Sequence, residues 1–136
     1  MGNRVVHFEI EATDLNRAKK FYEEALDWKM EQMGAEYNNY LVITTGDPKE
    51  PGGINGGMYT TTDAGTKEKE VNAYRCVISV DDVEKTKEDV KKAGGKILSK
   101  DEKADDIAGV GLYLSCEDSE GNRFTLLQAS DDMNKQ

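Results

Sequence analysis

Histidine occurs once in the 136 residues, and cysteine and proline twice each. A single imidazole excludes any metal or catalytic site that needs two histidines from one chain. The two cysteines, Cys76 and Cys116, form neither a disulfide framework nor a C-x-x-C redox pair. They read as free, buried thiols of a reducing cytosol. Basic residues are also scarce: 18 Lys and Arg face 27 Asp and Glu, for a net charge of −9. That deficit excludes the basic footprint that nucleic acid demands and disfavours an anionic membrane surface. Acidity alone mostly serves solubility, although it suits a cationic ligand. No apolar run approaches the roughly 20 residues of a membrane span. The N-terminus enters an alternating strand at once and shows no signal-peptide apolar region. Val6 stands where a myristoylation signal has Ser or Thr, so Gly2 is no acceptor. The expected location is the cytoplasm.

What is present is one domain's worth of amphipathic segments. Hydrophobic residues make up 37% of the chain and charged residues 33%, enough apolar material for one core despite a polar surface. Val6, Phe8 and Ile10 alternate with Val5, His7 and Glu9, the pattern of a half-buried strand. Asp14 then caps a helix with an apolar stripe of Leu15, Ala18, Phe21, Tyr22, Ala25 and Leu26. Residues 28–33 and 36–45 read as strands, and a Pro/Gly loop separates them from a third around residues 54–60. Residues 61–70 form a polar linker.

The same order then recurs. Residues 71–80 read as a strand with Cys76, Ile78 and Val80 on one side. Asp81 and Asp82 precede a helix striped by Val83, Thr86, Val90 and Ala93, and Gly94-Gly95 ends it. Strands at residues 96–99, 111–116 and 123–128 follow, the last two joined by a turn at 118–122. The expected fold class is α+β: two βαβββ modules, about 4–60 and 71–129, forming a curved mixed sheet around a cleft with helices outside. Residues 130–136 are expected to be a frayed acidic tail.

These segments have a family look. The run Val5-Val6-His7-Phe8-Glu9-Ile10 with Asp14 and Phe21-Tyr22, the stretch Gly53-Ile54-Asn55-Gly56-Gly57-Met58, the run Ile78-Ser79-Val80-Asp81-Asp82-Val83 with Gly94-Gly95-Lys96, and Glu117-Asp118-Ser119-Glu120-Gly121-Asn122-Arg123-Phe124 occur in a recognisable order. Together they resemble the glyoxalase/bleomycin-resistance/extradiol-dioxygenase, or vicinal-oxygen-chelate, superfamily, and within it the branch related to lactoylglutathione lyase. The resemblance implies a cleft formed by the two modules and a homodimer. In metal-dependent members it also implies a divalent cation held by two histidines and one or two carboxylates on four strands, acting as a Lewis acid.

Carried over singly, the four ligand positions fall on His7, on Gly57 or a neighbour, on Arg75, and on Thr125. Only His7 matches. A guanidinium stays protonated and cannot ligate, glycine offers no side chain, and threonine is a poor substitute for a carboxylate. A divalent metal is therefore disfavoured as a cofactor. His7 and Glu9 share a strand face and could serve as an acid–base pair on a small carbonyl compound. Self-satisfaction is the plainer role for such a pair. Arg75, aimed into a cleft, suits an anionic ligand group, or else an internal ion pair. With Thr125, Met58 and Gly57 it makes up the expected ligand-binding set. The glycines read as a widened pocket floor, a bulge or a close strand approach. Trp28, Tyr37, Tyr40, Tyr59 and Tyr113 supply aromatic surface for a cleft or for ordinary core. Cys116 lacks a partner histidine to activate it.

Three functions follow. The first is a small-molecule binder without the metal site. The second is a lyase, isomerase or epimerase-like enzyme working through His7 and Glu9, or a metal-dependent lyase, isomerase or dioxygenase of the superfamily. The third is an interaction domain, for which no docking element is evident.

Overall fold

The structure is a computed structural model that describes residues 2–37, 39–60 and 74–130. The expected linker, residues 61–70, lies outside the described residues, as do residues 71–73 and 131–136. Nine strands and two α-helices are described, an α+β arrangement. The chain divides into two compact units, residues 7–60 with 74, and residues 2–6 with 75–130.

In the first unit, β1 (Val5–Ala12) leads to α1 (Leu15–Leu26), β2 (Lys29–Gln32), β3 (Leu41–Thr44) and β4 (Asn55–Thr60). The strand order is β2-β3-β4-β1, antiparallel except that β1 lies parallel to β4. The Asp14 carboxylate caps α1 by accepting from Arg17 N at 3.0 Å. Asp27 ends the helix in the left-handed region at φ 60°, a place more often given to glycine or asparagine. Phe8 and Ile10 face the helix and join Met30, Leu41, Ile43 and Met58 in an apolar core, with Leu15, Ala18, Tyr22 and Trp28 packed on it. Each fully buried side chain of this kind contributes about 1.5–3 kcal/mol.

The helix stripe is narrower than its spacing predicts. Phe21 and Leu26 remain 60% and 53% exposed, and no residue of α1 is fully buried. The strand expected over residues 36–45 also shortens. A 3₁₀ turn, Ala35–Tyr37, replaces its start, because Tyr37 N and Asn39 N both bond Gly34 O and Asn39 takes φ 58°.

In the second unit, β5 (Arg75–Ser79) leads to α2 (Val83–Lys92), β6 (Lys96–Ile97), β7 (Asp105–Ile107), β8 (Gly111–Glu117) and β9 (Arg123–Ala129). The order β5-β9-β8-β6 repeats the first unit's topology, with β5 parallel to β9, and β7 is an added strand on the edge of β8. The second module thus carries four strands after its helix rather than three. Asp82 caps α2 by accepting from Glu84 N and Lys85 N. Gly94, at φ 102°, lets Gly95 N return to Val90 O and close the helix. Val80, Val83, Leu114, Cys116 and Leu126 form the core. Ser130, placed in the tail by its sequence, is tied down by its N–H on Val110 O.

Candidate functional site

The duplication sets up the site. His7 stands seven residues before the capping Asp14, and Arg75 stands seven before the capping Asp82. Glu9 lies beside Gly57 in the β1–β4 register, just as Val77 lies beside Thr125 in the β5–β9 register. His7 and Arg75 are thus equivalent positions of the repeat, and so are Gly57 and Thr125. These are the four positions on which the resemblance is expected to place the family's metal ligands, the second on Gly57 or a neighbour.

On β1 the alternation that sends Phe8 and Ile10 into the core leaves His7, Glu9 and Glu11 on the opposite face. Tyr40, just before β3, reaches across this face. Its hydroxyl donates to Glu9 Oε2 at 3.1 Å and lies 3.1 Å from His7 Nε2. Tyr59 donates similarly to Glu11 Oε1 at 2.7 Å. Glu9 is 6% exposed, so a buried carboxylate receives a proton donor where burial demands one. Desolvation lowers the His7 pKa below its ordinary 6.5, and the nearby Glu9 charge opposes that shift. His7 is therefore a neutral imidazole at physiological pH.

Gly57 explains how Tyr40 reaches this place. A Cβ at position 57 would collide with the Tyr40 hydroxyl, and one at Gly56 would collide with the Phe8 ring. The two glycines seat one aromatic ring on each face of β4. The register runs through them without a bulge, and what comes close to them is an aromatic side chain rather than a neighbouring strand.

The other expected residues fall differently. Met58 is 0% exposed within the first unit's core and offers no surface to a ligand, which corrects its place in the binding set. Thr125 is 3% exposed, with Oγ1 donating to the Tyr113 hydroxyl at 3.5 Å. Arg75 is half-buried on β5, and both Arg75 and Arg123 are engaged by partners. Trp28 stacks on Tyr22 and contacts Phe8, so it is core. Cys116 is buried and its thiol is pushed up to about 11 by desolvation, which makes it inert. Cys76 is exposed, contrary to the expectation of two buried thiols. Tyr40 is the member of this cluster that the sequence left among the aromatics of a cleft or core. Its pairing with His7 and Glu9 spans more than 30 positions, and no local spacing announces it.

The fit of a divalent cation can be judged from these donors. The four family positions carry an imidazole, a bare backbone, a guanidinium and a buried hydroxyl. The imidazole's Nε2 is already shared with Tyr40. Among the described residues no three His, Cys, Asp or Glu side chains cluster as a metal site requires. This donor set does not fit the family's cation.

Solved structures with the same fold are numerous. A hypothetical protein from Bacillus halodurans C-125 superposes with a TM-score of 0.70 at 12% identity, covering 96% of each chain. Methylmalonyl-CoA epimerase from Mycobacterium tuberculosis gives 0.69 at 12% identity, over 97% of this chain and 91% of that one. A Streptomyces coelicolor methylmalonyl-CoA epimerase variant, in complex with 2-nitronate-propionyl-CoA, gives 0.69 at 15% identity, over 94% and 95%. At such identities the likeness is one of fold. No curated protein sequence matches the chain significantly. The family model of the Glyoxalase/Bleomycin resistance protein/Dioxygenase superfamily matches residues 4–126, and the chain belongs to that superfamily.

Proposed function

We propose that this chain binds a small organic molecule against the His7–Tyr40–Glu9 face of its first unit, without a cation held at the family's four ligand positions. The observation that carries the reading is the commitment of His7, the only histidine, to Tyr40 and through it to Glu9. The face is chemically suited to a compact organic ligand. It combines a neutral imidazole, two tyrosine rings and the partly exposed Val42 with two carboxylates. Gly57 belongs to this proposal by seating Tyr40, and Arg75 and Thr125 are kept only as proposed binding positions of the second unit. A cytoplasmic homodimer completes the picture by analogy with the family.

A second reading is favoured by the same geometry. An imidazole hydrogen-bonded through a tyrosine to a carboxylate is an arrangement for proton transfer, so a lyase, isomerase or epimerase acting on a small carbonyl compound follows naturally. The superfamily includes such enzymes, as the epimerases of similar fold illustrate. The test is a ligand screen read by the ¹⁵N resonances of the single histidine. Compounds that bind this face shift those resonances, and His7→Ala abolishes their binding. Binding that survives His7→Ala places the site elsewhere. Turnover of a bound carbonyl compound that is lost in His7→Ala selects the enzymatic reading.

A further inference from the structure

We infer that Tyr40 is the positioning residue of this face: it fixes the His7 proton on Nε2 and so presents Nδ1 as the atom that accepts a hydrogen bond from an O–H or N–H group of the ligand. The inference deepens the proposed binding reading and rests on it for the ligand, but not for the proton's position.

The hydrogens that the three groups can supply fix the direction of the chain. A neutral imidazole has one N–H and one lone-pair nitrogen, a phenol has one hydrogen, and a carboxylate only accepts. The Tyr40 hydroxyl spends its hydrogen on Glu9 Oε2, 3.1 Å away. The same oxygen lies 3.1 Å from His7 Nε2, where two bare acceptors would repel each other. The hydrogen between them must come from the ring, so Nε2 carries the proton and Nδ1 the lone pair. The direction of the chain is Nε2–H to Tyr40 O–H to Glu9 carboxylate. A carboxylate anchored 6% exposed on the same strand holds that direction fixed. The depressed basicity of His7 keeps the ring neutral and the lone pair available. Gly57 makes the chain possible, since any side chain there would displace the Tyr40 hydroxyl.

The ligand class follows from the Nδ1 lone pair. An alcohol, phenol or amide N–H meets Nδ1 favourably. An ether or other pure acceptor at the same place meets another acceptor and is rejected. A proton taken up at Nδ1 leaves the Nε2–H bond to Tyr40 undisturbed, with the Glu9 charge facing the resulting imidazolium through the phenol.

The experiment uses the whole chain, ¹⁵N-labelled, with long-range ¹H–¹⁵N spectra recorded at pH 8. One histidine makes the assignment unambiguous. The expected result is a bare Nδ1 and a protonated Nε2. A bare Nε2, or an even mixture of tautomers, overturns the inference without touching the binding reading. Tyr40→Phe is expected to speed Nε2–H exchange with water at least tenfold, and unchanged exchange in a folded variant removes Tyr40 from the role. The wild-type tautomer stands as a test should that variant fail to fold. Phenol and anisole, which share the ring and its oxygen but differ in the O–H, then serve as probes. Phenol should bind several-fold more tightly, as one hydrogen bond confers, and move the Nδ1 resonance. Equal binding overturns the donor requirement. A correct tautomer that neither probe moves counts against the ligand assignment and the binding reading, while the Tyr40 positioning stands.

Discussion

The Tyr40 hydroxyl occupies the space that a side chain at position 57 would need. Gly57 lies on β4, beside Glu9 in the parallel β1 register, and its missing Cβ lets the Tyr40 ring cross the strand to reach His7 and Glu9. A glycine thus controls the geometry of a site to which it contributes no functional group. Gly57→Ala should expel the Tyr40 hydroxyl and destabilise the fold by about 1–3 kcal/mol, the usual range for overpacking. Urea denaturation measures the loss, and the His7 resonances of the same variant should show the bond to Tyr40 gone. A variant as stable as wild type would mean that Tyr40 has another place to go.

The Glu9 charge raises the His7 pKa against the stronger lowering by desolvation. Glu9→Gln removes the opposing influence, so His7 should titrate at a still lower pH than in wild type. The consequence for stability has a definite sign. A folded-state pKa below the unfolded value of about 6.5 means that the unfolded chain binds the proton more readily. The His7 contribution is therefore present above pH 6.5 and is lost as pH falls through the folded-state pKa. In Glu9→Gln that loss should extend to lower pH. An NMR titration of the one histidine checks the shift, and a rise in pKa would contradict it.

Most of the fold could be read from the chain itself, because alternation, caps and repeat spacing are local signals. Asp14 and Asp82 cap the two helices as their positions predict. The order of elements in the first module also matches the reading. What escaped was decided by tertiary context. The 3₁₀ turn at Ala35–Tyr37 hangs on Asn39 adopting a left-handed backbone. The added strand β7 gains its identity only by pairing with β8. At the site, His7 and Glu9 were evident as neighbours on one strand face. Tyr40 looked like any other tyrosine, and Met58 like a lining residue, since burial at 0% is invisible to spacing.

The two thiols should separate cleanly. Cys76 is exposed, whereas Cys116 is buried with its pKa pushed up to about 11. Under native conditions at pH 8, a maleimide or disulfide reagent should modify one thiol per chain, at Cys76. Denaturant should release the second. Rapid native labelling of both would contradict the burial of Cys116 in the second unit's core.

Helix α1 should tolerate change on its outer side. Phe21 is 60% exposed, so Phe21→Gln should alter stability by no more than about 0.5 kcal/mol. Ile43, at 0%, sits in the core, and Ile43→Ala should cost about 2–5 kcal/mol. Equal costs in chemical denaturation would mean that Phe21 is covered in solution.

The central claim is that this member of the superfamily works without the family's cation. The direct measurement is the metal content of untagged protein after incubation with nickel, cobalt, zinc, manganese and iron salts and removal of the excess. Far less than one equivalent per chain is predicted for every ion, because His7 alone of the four ligand positions offers a good ligand and one imidazole does not hold a cation tightly. One tightly held equivalent per chain, accompanied by a rise in melting temperature, would contradict the account and return the protein to metal-assisted chemistry.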